Sequence, residues 1–175
     1  GEIVNNVPAD VRMESYVRGK TVDAIKDANV KVNRALRAGA MSVGAEVEIF
    51  DHPGYMPYTR NDELEKVLIG ACTEYVGAAE LKHRGHSTGS TDMGDYSCIM
   101  PTTSIGMGGC EGPGHSRDFK ITDSIRQYIV PAKALAITVV DLLINDASAA
   151  KKVIDGFVPT IKRDDYSDFM KKLVE

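Results

Sequence analysis

The pattern of apolar and charged residues predicts a long amphipathic helix near the start of the chain. Apolar side chains recur at nearly helical spacing over residues 22–42, and the lysines and arginines of this stretch lie off that stripe. Thr21 stands just before the stripe, where a hydroxyl group caps a helix, and Gly44 stands just after it, where glycine ends one. We therefore predict a helix that ends near Ser42.

Similar stripes predict further helices in the rest of the chain. Asn61 suits the N-cap of a helix over residues 62–76, and Thr122 suits that of a longer helix over residues 122–144. Pro131 lies inside the longer helix, and an internal proline removes a backbone hydrogen bond, so we expect a kink or a restart there. Shorter helices are predicted over residues 92–98, 146–157 and 164–174.

Alternation of apolar and polar residues predicts strands on both sides of the first helix. Residues 11–18 and 45–50 alternate with the period of a half-buried strand, and residues 2–6 suggest a strand end. The order strand, helix, strand fits half of a split β-α-β unit, which needs more strands to be stable. Residues 52–60 contain two prolines and a glycine and are interpreted as a linker. A further buried strand is predicted over residues 102–106.

Composition and charge narrow the class of protein. The chain has 175 residues, with 43% hydrophobic and 26% charged residues, which are values of globular proteins. The net charge of −4 and the pI near 5.6 argue against nucleic acid or an anionic membrane as a partner. No uninterrupted apolar run approaches the ~20 residues of a membrane span, and the first ten residues lack a signal-peptide pattern.

The cysteines and the first residues bear on compartment and completeness. Cys72, Cys98 and Cys110 are odd in number and lack the CxxC spacing of metal sites, so we predict free thiols in a reducing, cytoplasmic compartment. The chain begins in what resembles the end of a strand, so we expect it to be a fragment of a longer polypeptide.

Candidate chemistry concentrates in a glycine-rich block from His83 to Phe119, which holds three of the four histidines. Its composition predicts irregular loops, where binding and catalytic groups tend to lie. His83 and His86 form a metal pair if they share a helical face. The glycine and serine residues around them favour two solvated loop histidines instead.

Two carboxylates in this block, Asp92 and Asp95, stand three residues apart around Gly94. Asp92 has two interpretations. It bridges a metal or supports a metal-bound imidazole from behind, as carboxylates commonly do. Alternatively, Ser90, Thr91 or Asp92 caps the helical turn that follows. Both roles are compatible with one loop.

His115 follows a Gly-Pro-Gly sequence, which allows the backbone to approach another surface closely. Zinc takes three or four protein ligands, and a hydrolytic zinc site keeps one position open for water. A single histidine therefore does not make a metal site by itself.

Taken together, these motifs resemble a known family. The sequences NNVP at Asn5–Pro8, STDMGD at Ser90–Asp95 and GHSRDF at Gly114–Phe119, followed by a long helix, are similar to the C-terminal half of the aminoacylase-type zinc metallopeptidases and amidohydrolases. The likeness is greatest to the aminobenzoyl-glutamate utilisation protein B branch. It extends to about Leu143, and the combination is more specific than any one motif.

The resemblance implies a fold and a domain organisation. In that family, a catalytic α/β domain with two metal ions, zinc or sometimes manganese, carries a smaller α+β lid with a ferredoxin-like sandwich. The lid usually makes the dimer contact. Residues 1–54 would then be a partial lid or dimerisation domain, and residues 59–175 the C-terminal part of the metal-dependent catalytic domain.

The resemblance also implies roles for four residues. His115 matches a metal ligand of the family, and Asp92 matches a supporting residue near it. Asn5 and Arg18 match lid positions that bind the carboxylate or carbonyl of the substrate. The family's remaining ligands and its general-base glutamate have no match here and are expected upstream of Gly1. The chain alone is therefore expected to lack activity and not to retain the metal ions.

We accordingly expect part of a metal-dependent amidohydrolase that cleaves an N-acyl amino acid or a small peptide-like amide, such as an aminobenzoyl-glutamate-type substrate. The alternative is a non-catalytic oligomerisation or binding module of the same fold, and a third hypothesis is a metal site made from His83, His86 and His115 alone. An uncovered sheet edge invites pairing, so we expect a homodimer or higher association, without nucleic acid or membrane.

Overall fold

The protein is described by a computed structural model over residues 3–82 and 85–173. The chain divides into two compact units, Gly1–Phe50 and Asp51–Glu175. The first unit is built around one long helix, and the second around a packed pair of helices.

Helix α1, Val22–Ser42, is the central element of the first unit, and both of its ends form as predicted. At its start, Thr21 Oγ1 accepts a hydrogen bond from the backbone N–H of Ala24 at 3.1 Å. This bond satisfies one of the N–H groups that have no partner inside the helix.

The C-terminal end of α1 is a Schellman motif. The N–H of Gly44 donates to the carbonyl of Met41 at 3.1 Å, and the N–H of Ala45 donates to the carbonyl of Ala40 at 2.9 Å. Gly44 has a φ of 70°, a left-handed conformation that only glycine adopts without steric cost. The predicted role of Gly44 as the helix stop is confirmed.

The strands predicted for the first unit were wrong. Residues 11–18 and 45–50 have no regular secondary structure, and residues 3–6 form a turn. Val11 and Met13, expected to be half-buried, are 77% and 68% exposed. A strand needs a neighbouring strand to pair its N–H and C=O groups, and no such ladder joins these segments in the part of the chain that the structure describes.

The core of the second unit lies between helices α2, Asp62–Val76, and α4, Val130–Asp155. Leu68 and Cys72 of α2 pack against Ala134 of α4, and all three side chains are buried. Ala134 has no exposed surface, and its single methyl group lets the two helix backbones approach each other closely.

Two side-chain contacts join the first and last parts of α4 to opposite ends of α2. The Lys133 ammonium group lies 5.5 Å from the centre of the Tyr75 ring, at the end of α2. The Lys152 ammonium group lies 2.6 Å from a carboxylate oxygen of Glu63, at the start of α2. The predicted cap of α2 is confirmed, because Asn61 Oδ1 accepts a first-turn N–H at 2.9 Å.

The interruption predicted at Pro131 is confirmed. Ile125–Ile129 form a π-helical turn, and α4 begins with Pro131 as its second residue, where the missing N–H breaks no bond inside the helix. The predicted cap was wrong by one residue. Asp123 Oδ1, rather than Thr122, accepts a first-turn N–H, at 3.0 Å.

Helix α4 also has a break near its C-terminal end, where the sequence predicts that one helix ends and another begins. Asn145, Asp146 and Ala147 have φ values of 52°, 59° and 54°, all in the left-handed region. The break separates a long arm, residues 130–143, from a short arm, residues 148–155.

The remaining elements are short. The predicted turn becomes helix α3, Met93–Ile99, and the last predicted helix is reduced to α5, Tyr166–Lys171. Strands β1, Cys110–Glu111, and β2, Lys120–Ile121, form an antiparallel hairpin that the sequence pattern does not predict. The strand predicted over residues 102–106 was wrong, because no other strand pairs with it among the described residues.

The described chain is thus a mixed α and β structure, mostly helical, with one small antiparallel sheet. By length and composition alone, the helical stretch Ile125–Asp155 is apolar enough to cross a membrane. A core helix of a soluble protein passes the same test. The side of α4 away from α2 carries exposed apolar residues, including Leu135, Val139 and Leu143.

The α2–α4 contact leads to a prediction about Ala134. Replacing it with leucine (Ala134→Leu) inserts three carbon atoms where no space is exposed, so we expect the free energy of unfolding to fall by about 1–3 kcal/mol. The matched control is Ala136→Leu, on the exposed side of the same helix. This change should alter the free energy of unfolding by less than about 0.5 kcal/mol. Urea denaturation measures both, and equal losses would contradict the described packing.

Candidate functional site

His115 lies at the tip of the β1–β2 hairpin. The connecting loop, Gly112–Phe119, is held by Ser116, whose Oγ donates to the carbonyl of Pro113 at 2.8 Å. The same oxygen accepts the N–H of Asp118 at 3.2 Å. The His115 side chain is exposed, and its φ of 62° is left-handed.

The conformation of this loop explains its glycine-rich sequence. A Cβ atom at Gly112, which has a φ of 86°, would overlap the carbonyl oxygen of Asp118, so only glycine lets the loop close. Few residues other than glycine adopt a left-handed φ, although histidine does so more often than most. Such residues cluster at functional sites, which makes His115 the most unusual histidine in the described chain.

The base of the hairpin is fixed to the π-helical turn that precedes α4. The Gly109 carbonyl accepts the N–H groups of Thr122 and Asp123, at 2.8 and 3.1 Å. A Cβ atom at Gly109 would lie 2.6 Å from the carbonyl oxygen of Asp123. The Cys110 thiol donates to the side-chain oxygen of Gln127 at 3.1 Å. These contacts set the direction in which the hairpin presents its tip.

Helix α3, which contains the second half of the STDMGDYS motif, binds the backbone of the segment before α2. Asp95 Oδ1 accepts the N–H of Met56 at 3.1 Å, and Ser97 Oγ accepts the N–H of Thr59 at 3.1 Å. Gly94 lies between them, and a Cβ atom there would overlap the carbonyl group of Met56. We call this arrangement of Gly94, Asp95 and Ser97 the α3 clasp.

The C-terminal segment completes the surroundings of the α3 clasp. The Tyr166 hydroxyl donates to the Asp95 carboxylate; burial, followed by this hydrogen bond and the negative charge, raises the pKa of Tyr166 to about 12. The carbonyl of Cys98 accepts the N–H of Ile161 at 3.2 Å. Asp95 therefore joins three segments that are distant in sequence.

Asp92 stands at the N-cap position of α3, but its side chain makes no capping hydrogen bond and is exposed. Thr91 takes that role, since its Oγ1 accepts the N–H of Met93 at 3.3 Å and its carbonyl accepts the N–H of Gly94 at 3.0 Å. The predicted cap is therefore confirmed at Thr91, one of the three candidates, and Asp92 does not act as the cap. The interpretation of Asp92 as a supporting residue stays a prediction.

The two predicted substrate-binding residues lie in the first unit. Asn5 is exposed in the turn over residues 3–6. Arg18 is exposed too, and its guanidinium group lies 5.0 Å from the centre of the Tyr16 ring. Stacking on an aromatic face restricts the conformations of an arginine side chain.

The other histidines of the glycine-rich block are less informative. His86 is exposed in an irregular segment, in agreement with a solvated loop histidine. His83 lies outside the described residues, so neither the metal pair with His86 nor the site combining both with His115 is tested.

No three histidine, cysteine, aspartate or glutamate side chains come together as a metal site within residues 3–82 and 85–173. The three cysteines are free, as predicted, and burial raises the pKa of the Cys72 and Cys98 thiols. Because of their raised pKa values, both thiols are protonated near neutral pH. A protonated thiol is a poor metal ligand. His115 is therefore a single donor that acts in a metal site only with ligands from elsewhere.

Sequence reasoning missed the contacts of Asp95 and Ser97. The sequence gives little signal for these contacts, because Asp95 and Ser97 are two residues apart and do not share a face of α3. Their partners, Met56 and Thr59, are backbone groups nearly forty residues earlier, and no sequence pattern marks a backbone N–H as a partner.

The α3 clasp predicts a large effect of replacing Gly94 with alanine. Helix propensity alone favours alanine by ~1 kcal/mol, but here its methyl group meets the Met56 carbonyl. We expect Gly94→Ala to lower the free energy of unfolding by about 3 kcal/mol. Gly106→Ala is the control, because nothing lies within 4 Å of a Cβ atom there. A stabilising Gly94→Ala would contradict the clasp.

The Tyr166–Asp95 hydrogen bond predicts a titration difference. A tyrosine whose folded pKa lies above its unfolded value stabilises the protein below the unfolded value, near 10, and this stability is lost as pH rises towards 12. In Asp95→Asn, the pKa of Tyr166 should fall while staying raised, because burial remains its largest cause. Ultraviolet titration against a Tyr166→Phe reference measures it, and an unchanged pKa would rule out the contact.

The geometry of the site is thus that of an exposed, conformationally unusual histidine at the tip of a hairpin whose base is fixed to the turn before α4. No family model, curated protein or solved structure matches this chain.

Proposed function

We propose that this chain forms the C-terminal part of a metal-dependent amidohydrolase in which His115 is one of the metal ligands. The observation that carries the proposal is the position of His115, with an exposed imidazole and a left-handed backbone at the tip of the hairpin. The sequence resemblance, which rests on the GHSRDF motif, points to the same residue.

The hairpin suits a metal ligand for a physical reason. A ligand must be held in place before the metal binds, because ordering a flexible loop costs free energy at each binding event. The hydrogen bonds of Gly109 hold the two ends of the hairpin together, and those of Ser116 hold the middle of its loop. The imidazole itself stays exposed. His115 is therefore ordered but accessible.

A bound zinc ion, or manganese in its place, would act as a Lewis acid that activates water near neutral pH. One imidazole does not hold two metal ions, so the other ligands and the general-base glutamate must come from other polypeptide segments. His115 would contribute a neutral nitrogen donor, and Asp92 would support the same site from the start of α3.

Asn5 and Arg18 are the residues we propose for binding the substrate carboxylate or carbonyl. The planar guanidinium of arginine binds a carboxylate through two parallel hydrogen bonds, and the amide of Asn5 adds a neutral donor. The substrate class is then an N-acyl amino acid or a small peptide-like amide, such as an aminobenzoyl-glutamate-type compound. This chemistry needs neither nucleic acid nor a membrane.

The proposed domain organisation follows from the same resemblance. Residues 1–54 would be a partial lid domain of ferredoxin-like fold, which takes part in a homodimer or a higher assembly. Residues 59–175 would be the C-terminal part of an α/β catalytic domain. We also propose a cytoplasmic location, in which the three thiols stay reduced.

A second candidate function, a non-catalytic oligomerisation or binding module, is favoured by one observation. Leu135, Val139 and Leu143 lie together on the exposed side of α4, and each is at least half exposed. A helix that is apolar on all sides is normally covered by other protein. This candidate requires no metal ion and no role for His115.

Metal analysis of the full-length protein that contains this sequence separates the two candidates. In His115→Ala, we expect metal affinity at one site to fall by more than about 100-fold, since losing a ligand costs more than losing its hydrogen-bonded neighbour. Hydrolysis of an aminobenzoyl-glutamate-type amide should fall with it. The control is His86→Ala, which removes another exposed histidine. It should leave both the metal affinity and the hydrolysis unchanged.

Full metal content and full activity in His115→Ala would reject the assignment of this residue. A wild-type protein that binds no zinc or manganese and cleaves no amide would favour the module instead.

A further inference from the structure

Three consecutive residues of α4 adopt a conformation that is unfavourable for each of them. Asn145, Asp146 and Ala147 have φ values of 52°, 59° and 54°, between two arms of ordinary right-handed helix. An L-residue in the left-handed region brings its Cβ atom too close to the following carbonyl oxygen, and alanine has no side-chain hydrogen bond to offset this. We call Asn145–Ala147 the joint.

The positions at which α4 contacts α2 explain why a joint is needed. Ala134 packs beside Cys72, and Lys152 pairs with Glu63. In straight helices, residues 134 and 152 would be ~27 Å apart along α4, whereas residues 63 and 72 are only ~13 Å apart along α2. The difference exceeds what a lysine side chain spans. Lys152 reaches Glu63 because the joint turns the short arm back.

Two interactions hold the short arm in this position. Val153 is buried, with 6% of its surface exposed, and Lys152 lies 2.6 Å from the Glu63 carboxylate. This hydrogen bond from Lys152 is the largest cause that lowers the pKa of Glu63, to about 2, so the carboxylate is charged at neutral pH. The strain of the joint opposes both interactions, because it is released when α4 straightens.

The short arm leads directly into one wall of a cleft. This open cleft, of about 370 Å³, lies between the start of α2 and the segment after α4. Thr59, Arg60 and Ser97 line the cleft together with Gly156, Phe157 and Thr160, which follow the short arm in sequence. A movement of the short arm therefore displaces the lining residues that follow it directly.

We propose that Asn145–Ala147 are a strained hinge that closes this cleft, and that breaking the Lys152–Glu63 ion pair lets α4 straighten and the cleft open. The inference does not depend on the metal-site proposal, since none of its residues is assigned to metal or substrate.

The first test uses glycine at the joint. Glycine adopts the left-handed conformation freely but destabilises a right-handed helix, so its effect changes sign with the conformation of residue 147. We expect Ala147→Gly to raise the melting temperature by about 2–4 °C, and the control Ala136→Gly, in the right-handed long arm, to lower it by a similar amount. A lowered or unchanged melting temperature in Ala147→Gly would overturn the proposal.

The second test follows the cleft. The chain has no tryptophan, so Phe157→Trp places a single reporter in the cleft wall. In this background, Lys152→Gln should move acrylamide quenching of the tryptophan towards its value in the unfolded protein, and adding Ala147→Gly should reverse part of that change. Lys172→Gln, which removes the same charge from the exposed end of the segment, should leave quenching unchanged.

The hinge proposal is overturned if the Lys152→Gln and Lys172→Gln variants show equal quenching. This holds whether quenching changes in both variants or in neither. If circular dichroism shows that Phe157→Trp does not fold, hydrogen exchange of residues 148–161 gives the same readout in the unlabelled chain. Faster exchange in Lys152→Gln alone supports the hinge, and exchange equal to that of Lys172→Gln overturns it.

Discussion

The packing of α2 against α4 is the constraint on which the rest of the second unit depends. Its centre is small, with Leu68 and Cys72 on one helix and Ala134 on the other, and the methyl group of Ala134 sets how closely the helices approach. The other parts of this unit attach to the ends of the pair. The hairpin is fixed to the turn before α4, and α3 binds the segment before α2. The position of His115 thus depends on a helix contact that does not include it.

The STDMGDYS motif shows how one sequence block carries two kinds of information. The resemblance draws attention to Asp92 as part of a site, whereas the structure shows that Gly94, Asp95 and Ser97 bind backbone groups. A buried backbone N–H without a partner costs free energy comparable to a lost hydrogen bond. The α3 clasp satisfies the N–H groups of Met56 and Thr59 with side chains, where a sheet would use another strand, and Asp92 stays exposed.

Helices were predictable because their signals are local. The cap at Thr21, the glycine at Gly44, the cap at Asn61 and the break at Pro131 each act within a few residues of their own position. Strands were not, because a strand exists only with a partner. The alternation over residues 11–18 describes which side chains would share a face, but it does not supply the second strand.

The sequence by itself therefore determined the ends of α1 and α2, the interruption at Pro131 and the free state of the thiols. Tertiary structure decided that His115 stands at the tip of a hairpin, that Asp95 rather than Asp92 has buried partners, and that α4 turns back at Asn145–Ala147. The physical reason is separation along the chain. Caps and turns are fixed by neighbouring residues, whereas the clasp, the hairpin base and the position of the short arm of α4 are fixed by contacts between residues far apart in sequence.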